Sequence, residues 1–410
     1  MADADIQRCS KHSESRTIEN VLVLQGGGSL GAFGCGVFKA LYNSGIRFEI
    51  VGGTSIGAVN AAIICGSKSG NPAKDLEDFW IEIAESSFEI IPDMFIPYYD
   101  YKKGTIDFRR MSAAPLNAIM FGVPSFFVPR WLQINTNGST DDMSLLLPPS
   151  EWTFFYDHSR LTSTLEKYVD YNRFSRKARK AKEDSNPRLI ATAVNILTAE
   201  ALIFDSDKMD ITPQHILASC AYSAYGFPWV KVGEAYAWDG SLLSNTPLKE
   251  IIEASPRNDK NVFLVENYPR KINRMPVNRS EIVDRTRDIM FSDKTIYDLR
   301  AWKHMSRQTE LIEMLYDIFE KNVEKQSLDP AFVNKIRGEY ENLVGKYGAE
   351  ILAIHRIARN RMESPHILKN ADFSVKTIKE LIRQGEEKTL KHLRGYEDVE
   401  VGEFLKLLYL

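Results

Sequence analysis

Gly53-Thr54-Ser55-Ile56-Gly57 sits between a short apolar run, Phe48 to Val51, and a stretch of small residues, Ile56 to Cys65. That is the strand–elbow–helix context in which the serine of a GxSxG string becomes a nucleophile. The flanking glycines permit a tight turn that a Cβ would obstruct, which leaves the serine Oγ at the tip. Taken alone, the string also fits a plain strand-to-helix turn. Two distant elements bear on the choice: Gly26-Gly27-Gly28 upstream and Asp239-Gly240 downstream.

Working outward, Asn20 to Gln25 is a continuous apolar run bounded by glycines and reads as a buried parallel strand. Gly31 to Asn43 has helical character, the Phe48 to Val51 run is a second strand, and Ile56 to Cys65 is an alanine-rich helix. Strand, glycine turn and helix, twice over, is how a wound α/β sheet begins. Residues 75–87 continue as a helix. Residues 88–150, rich in proline, glycine and aromatics, read as an insertion over the sheet edge. Regular signals return with strands at 188–196 and 201–205, a helix opened by Thr212-Pro213, a short strand at 235–238 and a last buried strand at 261–266.

The expected architecture is a three-layer wound, mostly parallel sheet over residues 19–270. A polar, disordered arm precedes it at 1–18, and an all-helical extension follows at 271–410. In that extension Ser374 can cap a helix whose apolar face carries Val375, Ile378, Leu381 and Ile382.

Bulk properties exclude several classes. The chain has 410 residues, 44% hydrophobic and 26% charged, as in ordinary globular proteins, and a formal net charge of −3. That charge argues against a nucleic-acid footprint over the whole chain. Cys9, Cys35, Cys65 and Cys220 form no CxxC pair and read as free thiols in a reducing compartment. The N-terminal residues lack an apolar secretory core, and no window reaches the roughly 18 apolar residues of a spanning helix. A cytoplasmic location is expected, with room for peripheral membrane contact.

A serine hydroxyl needs a base within hydrogen-bond reach and donors aimed at the developing oxyanion. Gly26-Gly27-Gly28-Ser29-Leu30-Gly31 follows the first strand and opens a helix, so its N–H groups can converge on a phosphate or an oxyanion. The string also fits GxGxxG. A dinucleotide site is disfavoured: the acidic residue about 20 positions on would fall near Glu49, next to the second glycine turn. No Lys-Ser/Thr follows, which excludes a Walker A loop. Asp239 ends a short strand. It can take the serine proton directly, although an ordinary turn aspartate is the commoner meaning of Asp-Gly. The histidines are His12, His158, His215, His304, His355, His366 and His392. None lies between 239 and 303, where the Ser–acid–His order of α/β-hydrolases would want one. A Ser–Asp pair fits better than a triad.

These three elements in this order resemble the patatin-like phospholipase family, whose pattern is a glycine-rich loop, GxSxG and a downstream Asp-Gly. The likeness extends to Gly34 and Gly36, Ala58-Val59-Asn60-Ala61-Ala62, Gly226-Phe227-Pro228 and Ser244-Asn245-Thr246-Pro247-Leu248, and covers about residues 19–268. It implies Ser55 as nucleophile, Asp239 as general base and Gly26, Gly27 and Gly28 as the oxyanion hole. It also implies a lipid or other acyl-ester substrate, with phospholipid or lysophospholipid first, and neither metal nor cofactor. Ser29-Leu30 stands where plant members usually carry a basic residue. Ser241 follows Asp-Gly in place of Gly or Ala. The tail is similar to the extension of one bacterial subgroup.

Two stretches are candidates for lipid contact. Residues 119–133 are apolar, aromatic and interrupted by prolines; they suit a lid or interfacial wedge with Arg130 and Trp131 at headgroup level, or a buried insertion. Arg173, Arg176, Lys177, Arg179, Lys180 and Lys182 form a basic run that suits anionic lipid or a solvated helix face. The rival readings are an esterase for short hydroxyacid oligomers and a catalytically silent scaffold that binds a partner through the tail. Oligomeric state is left open.

Overall fold

Residues of the first strand alternate between two cores. Leu22 and Leu24 pack into one, Val21 and Val23 into the other. A strand buried on both faces belongs at the centre of a three-layer arrangement. The computed structural model has that architecture; it describes residues 17–93, 98–100, 105–107, 112–135, 148–180, 186–272, 274–292, 294–323, 328–345, 348–359 and 368–395. The expected polar arm lies outside these residues up to position 16.

In chain order the strands are β1 (Ile18–Leu24), β2 (Ile50–Thr54), β3 (Tyr98–Asp100), β4 (Thr105–Asp107), β5 (Val128–Pro129) and β6 (Tyr156–Asp157). They continue with β7 (Arg188–Asn195), β8 (Ala201–Asp205), β9 (Val230–Val232), β10 (Ala235–Asp239), β11 (Asp259–Glu266) and β12 (Ile351–Ala358). β3–β4 and β5–β6 are small separate pairs. The central sheet runs β12-β11-β1-β2-β7, every neighbour parallel. β8, β10 and β9 add antiparallel pairings beyond it. The mostly parallel wound sheet is therefore as expected.

On one face lie α1 (Gly31–Asn43), α2 (Ile56–Gly66) and α3 (Pro72–Glu85). α4 (Ala114–Phe121), α5 (Arg160–Tyr168), α6 (Arg176–Lys180) and α7 (Pro213–Ser219) follow along the chain. α8 (Leu248–Ala254) covers the opposite face through Leu248, Ile251 and Ile252. Local signals set the helix starts. Asn71 caps α3 by accepting the Lys74 N–H, with Pro72 at its first position, and Thr212 and His215 form a reciprocal capping box on α7.

The extension is helical for most of its described length: α9 (Arg279–Ser292), α10 (Lys294–Val323), α11 (Pro330–Tyr340) and α12 (Val375–Leu393). The expectation that it is all-helical needs one correction, because it supplies β12, which pairs in parallel with β11 and becomes the edge of the central sheet. α10 contributes Leu299 and Trp302 to the α8 face. α12, capped by Ser374 as expected, buries Ile378, Leu381 and Ile382 on the opposite side.

α12 crosses α1 in direct backbone contact. A Cβ on Gly36 would overlap the Ile382 carbonyl, and one on Gly385 would overlap the Phe33 carbonyl. Overpacking a close-packed contact typically costs 1–3 kcal/mol. Gly385→Val is therefore expected to lower the urea midpoint by an amount worth at least about 2 kcal/mol. An unchanged midpoint would show that α12 does not dock on α1 as described.

Candidate active site

The elbow is built by close packing. A Cβ on Gly53 would overlap the Gly57 carbonyl, and one on Gly57 would overlap the Leu24 carbonyl, so neither position has room for a side chain. Between them Ser55 takes φ 57° and ψ −129°, a conformation that L-residues rarely adopt. The surroundings hold it there. The Ser55 N–H donates to Ser219 Oγ at 3.0 Å, and Ser219 Oγ donates to the Thr192 carbonyl at 2.7 Å. Its carbonyl accepts the Ala58 N–H in the first turn of α2.

Strand register brings Asp239 to the same place. β2 pairs with β7 up to Thr54 opposite Thr192, and β10 pairs with β7 down to Asp239 opposite Ala193. β8 pairs with Ile190 to Val194 of β7 and so takes the other edge. β2 and β10 thus abut end to end along one edge of β7, and the chain leaves them at Ser55 and Asp239.

Asp239 is fully buried. Its Oδ1 accepts the Ser241 N–H at 2.8 Å, whereas Oδ2 has no hydrogen-bond partner among the described residues. Burial pushes the carboxyl up to about 6 from an ordinary 3.8, with the Ser241 N–H and the nearby Ser55 hydroxyl pulling it back. The Ser55 hydroxyl is close enough to act on the carboxyl, yet no bond of regular geometry joins them. Hydroxyl and carboxyl stand side by side, unlocked.

The glycine loop is fixed from behind. Gln25 donates to Thr246 Oγ1 and to the Phe291 carbonyl, and its Oε1 accepts the Asn267 N–H. Asn267 Nδ2 donates back to the Gln25 and Gly26 carbonyls. Among the three expected donors, the Gly26 N–H is committed to the Asn245 carbonyl at 3.2 Å. Gly27 and Gly28 line the cleft beside Ser55, and their N–H groups have no acceptor among the described residues.

Above these groups opens a cleft of about 1000 Å³, counted out to its mouth. One wall is a cluster of rings, Phe126, Phe127, Tyr156, Phe227 and Phe373, in mutual edge or tilted contact. Another is Tyr222, Tyr225, Tyr268 and Phe291. Sequence reasoning missed that the extension supplies Phe291, Leu368, Asn370, Ala371 and Phe373 to this lining. Residues 368–373 are held on the glycine loop: Ser29 Oγ donates to the Lys369 carbonyl at 3.2 Å, and the Asn370 carbonyl fills the space a Cβ on Gly28 would need. Lys369, itself buried, is paired with the buried Asp284 at 2.9 Å and Asp288 at 2.5 Å on α9.

No histidine lines the cleft among the described residues. His158 is buried against Phe227, meets the Leu217 carbonyl, and is pushed down to about 4 by burial. His215 caps α7, and His355 meets His392 at 3.1 Å between β12 and α12. His12 and His366 lie outside the described residues. Cys220 borders the cleft, but burial raises its thiol far above the ordinary value, which removes it as a rival nucleophile. No cluster of three or more potential metal ligands occurs among the described residues.

Of the two lipid-contact candidates, 119–133 packs as a wall, with Val123, Phe126, Phe127 and Val128 buried. The placement of Arg130 at headgroup level is corrected: it is 5% exposed and stacks on Trp152 and Phe154, where flanking rings cover its guanidinium. In the basic run, Arg176 approaches Asp210 at 3.8 Å, the side chains of Arg179 and Lys180 are not described, and Lys182 lies outside the described residues. No described helix is long and apolar enough to cross a membrane.

The patatin-like phospholipase family profile matches residues 22–252, more than half of the chain, and the protein belongs to that family. Patatin-like phospholipase domain-containing protein 6 of Mus musculus is 33% identical over 98 residues, 22% of this chain and 7% of that one. Lysophospholipase nte1 of Aspergillus terreus is 46% identical over 59 residues, 14% of this chain and 4% of that one. The chain thus spans only a small fraction of the length of these relatives. Among solved structures, VipD from Legionella pneumophila is similar with a TM-score of 0.35 and 15% identity, over 92% of this chain and 67% of that one.

The raised carboxyl has a stability consequence. The folded chain binds the Asp239 proton more tightly than the unfolded chain does. The stability this group contributes is therefore fully present below pH 3.8 and is lost as pH rises through about 6. Two units correspond to about 3 kcal/mol. Asp239→Asn is accordingly expected to gain thermal stability over wild type between pH 4 and 7, and to hold that margin above it. A melting difference constant across this window would contradict the assignment.

Proposed function

We propose that the chain is a serine acyl hydrolase that cleaves lipid esters through an acyl-enzyme on Ser55. The observation that carries this reading is Asp239 Oδ2, without a partner among the described residues and beside the Ser55 hydroxyl, in the same aromatic cleft as the Gly27 and Gly28 N–H groups. Oδ2 takes the Ser55 proton as Oγ attacks the ester carbonyl. The Gly27 and Gly28 N–H groups hold the oxyanion. As the tetrahedral intermediate collapses, the carbon–oxygen bond to the alcohol breaks and Asp239 returns the proton to that alcohol. Water then attacks the acyl-enzyme, gives its proton to Asp239, and the fatty acid leaves as Oγ regains a proton.

Family membership and the relative named as a lysophospholipase favour a phospholipid or lysophospholipid. The ring-lined cleft suits an acyl chain better than a charged substrate. In this reading residues 19–270 carry the chemistry, and 271–410 complete the cleft wall. The enzyme meets its substrate at a cytoplasmic lipid surface without spanning it.

Hydrolysis of a panel of phospholipids, lysophospholipids and hydroxyacid oligomers tests this directly. Ser55→Ala and Asp239→Asn are expected to fold and to lose at least about 10³-fold in kcat. A variant within tenfold of wild type would remove that residue from the mechanism. Because the base must be ionised, kcat/KM should climb with pH and level off above about 6. A profile flat from pH 4 to 8 would contradict Asp239 as the base.

A further inference from the structure

We infer that the side-chain amide of Asn245 is a further donor to the reacting carbonyl, completing an oxyanion hole that the glycine loop begins. The inference rests on the acyl-hydrolase reading above and adds to it a residue that acts on the same oxygen.

Asn245 is 5% exposed and lines the cleft with Gly27, Gly28, Ser55 and Asp239. Its Nδ2 is buried and has no hydrogen-bond partner among the described residues. The geometry around Gly26 places the amide. A Cβ built there would meet Asn245 Oδ1 first and Ser55 Cβ at 3.1 Å, so the Asn245 side chain and Ser55 lie on one side of the glycine loop, with Nδ2 one bond away from that oxygen's carbon. A buried amide donor left without a partner is unfavourable, and the group that satisfies this one is not among the described residues.

A purely structural role does not account for this side chain. The loop that carries Asn245 is already tied down by its neighbours. The Asn245 carbonyl accepts the Gly26 N–H, Thr246 Oγ1 accepts from Gln25, and Ser244 Oγ donates to the Thr246 carbonyl. None of these bonds uses the Asn245 Nδ2. The unpaired groups of the cleft also sort by sign. Asp239 Oδ2 is an acceptor, suited to a proton; the Gly27 and Gly28 N–H groups and Asn245 Nδ2 are donors, suited to an anion. Donors of this kind act most strongly in a water-poor site, where the charge they meet develops only in the transition state.

The test uses Asn245→Ala and Asn245→Leu, the second with the same branching as asparagine, each compared with wild type by thermal melting. With a soluble medium-chain ester, kcat should fall by roughly 10²–10³ while KM stays within about threefold. A trifluoromethyl ketone forms an oxyanionic hemiketal with Ser55, so its affinity should fall by the same factor as kcat/KM. Inhibition by an ether analogue of the ester, which lacks the carbonyl, should not change. If either folded variant keeps kcat within threefold of wild type, the inference fails. If ether-analogue and ketone affinity fall together, the side chain only shapes the cleft, and the inference fails again. Absence of both ester turnover and fluorophosphonate labelling at Ser55 in wild type would overturn the hydrolase reading beneath it, a result distinguishable from either failure.

Discussion

The end-to-end meeting of β2 and β10 against β7 is the constraint on which the site depends. Two strands from opposite directions share one edge of a third, and neither can extend without displacing the other. Their last residues pair with consecutive positions, Thr192 and Ala193, so the chain must turn away at Ser55 on one side and after Asp239 on the other. Main-chain hydrogen bonds thereby hold a serine hydroxyl and a carboxyl together although 183 residues separate them in the sequence. Thr54 Oγ1 and Thr192 Oγ1, 2.7 Å apart, tie the junction from the side.

The site holds local costs that the rest of the fold offsets. Ser55 sits at a positive φ, and the buried Asp239 Oδ2 and Asn245 Nδ2 have no partner among the described residues. Each is unfavourable for stability, the pattern expected at a preorganised site, and the proposed chemistry uses all three. What offsets them is extensive. Both faces of the sheet are packed, and the extension adds an edge strand on one side and a glycine-to-glycine helix crossing on another.

Much of this was legible in the sequence because the signals are local. The GxSxG elbow, the glycine loop, the Thr212-Pro213 helix start and the Ser374 cap each announce themselves within a few residues, and each stands where it was read. Asp-Gly was informative only in combination, since the dipeptide alone usually marks a turn. What stayed hidden depends on contacts between distant segments. Ile351–Ala358 lies amid charged helices and becomes a strand because β11 offers it an open parallel edge. Arg130 looked like a headgroup anchor beside Trp131, but the partners that bury it, Trp152 and Phe154, are more than 20 positions away. That the Gly26 N–H is occupied, and that Phe373 and Asn370 line the cleft, follows from pairings no periodicity encodes.

The most direct test of the account is the crystal structure of the chain after reaction with an alkyl fluorophosphonate. The account predicts a single adduct on Ser55 Oγ, with its phosphoryl oxygen directed at the Gly27 and Gly28 N–H groups and Asp239 Oδ2 within hydrogen-bond reach of the ester oxygen. An adduct on another residue, or a Ser55 adduct whose phosphoryl oxygen points away from the glycine loop with Asp239 out of reach, would contradict it.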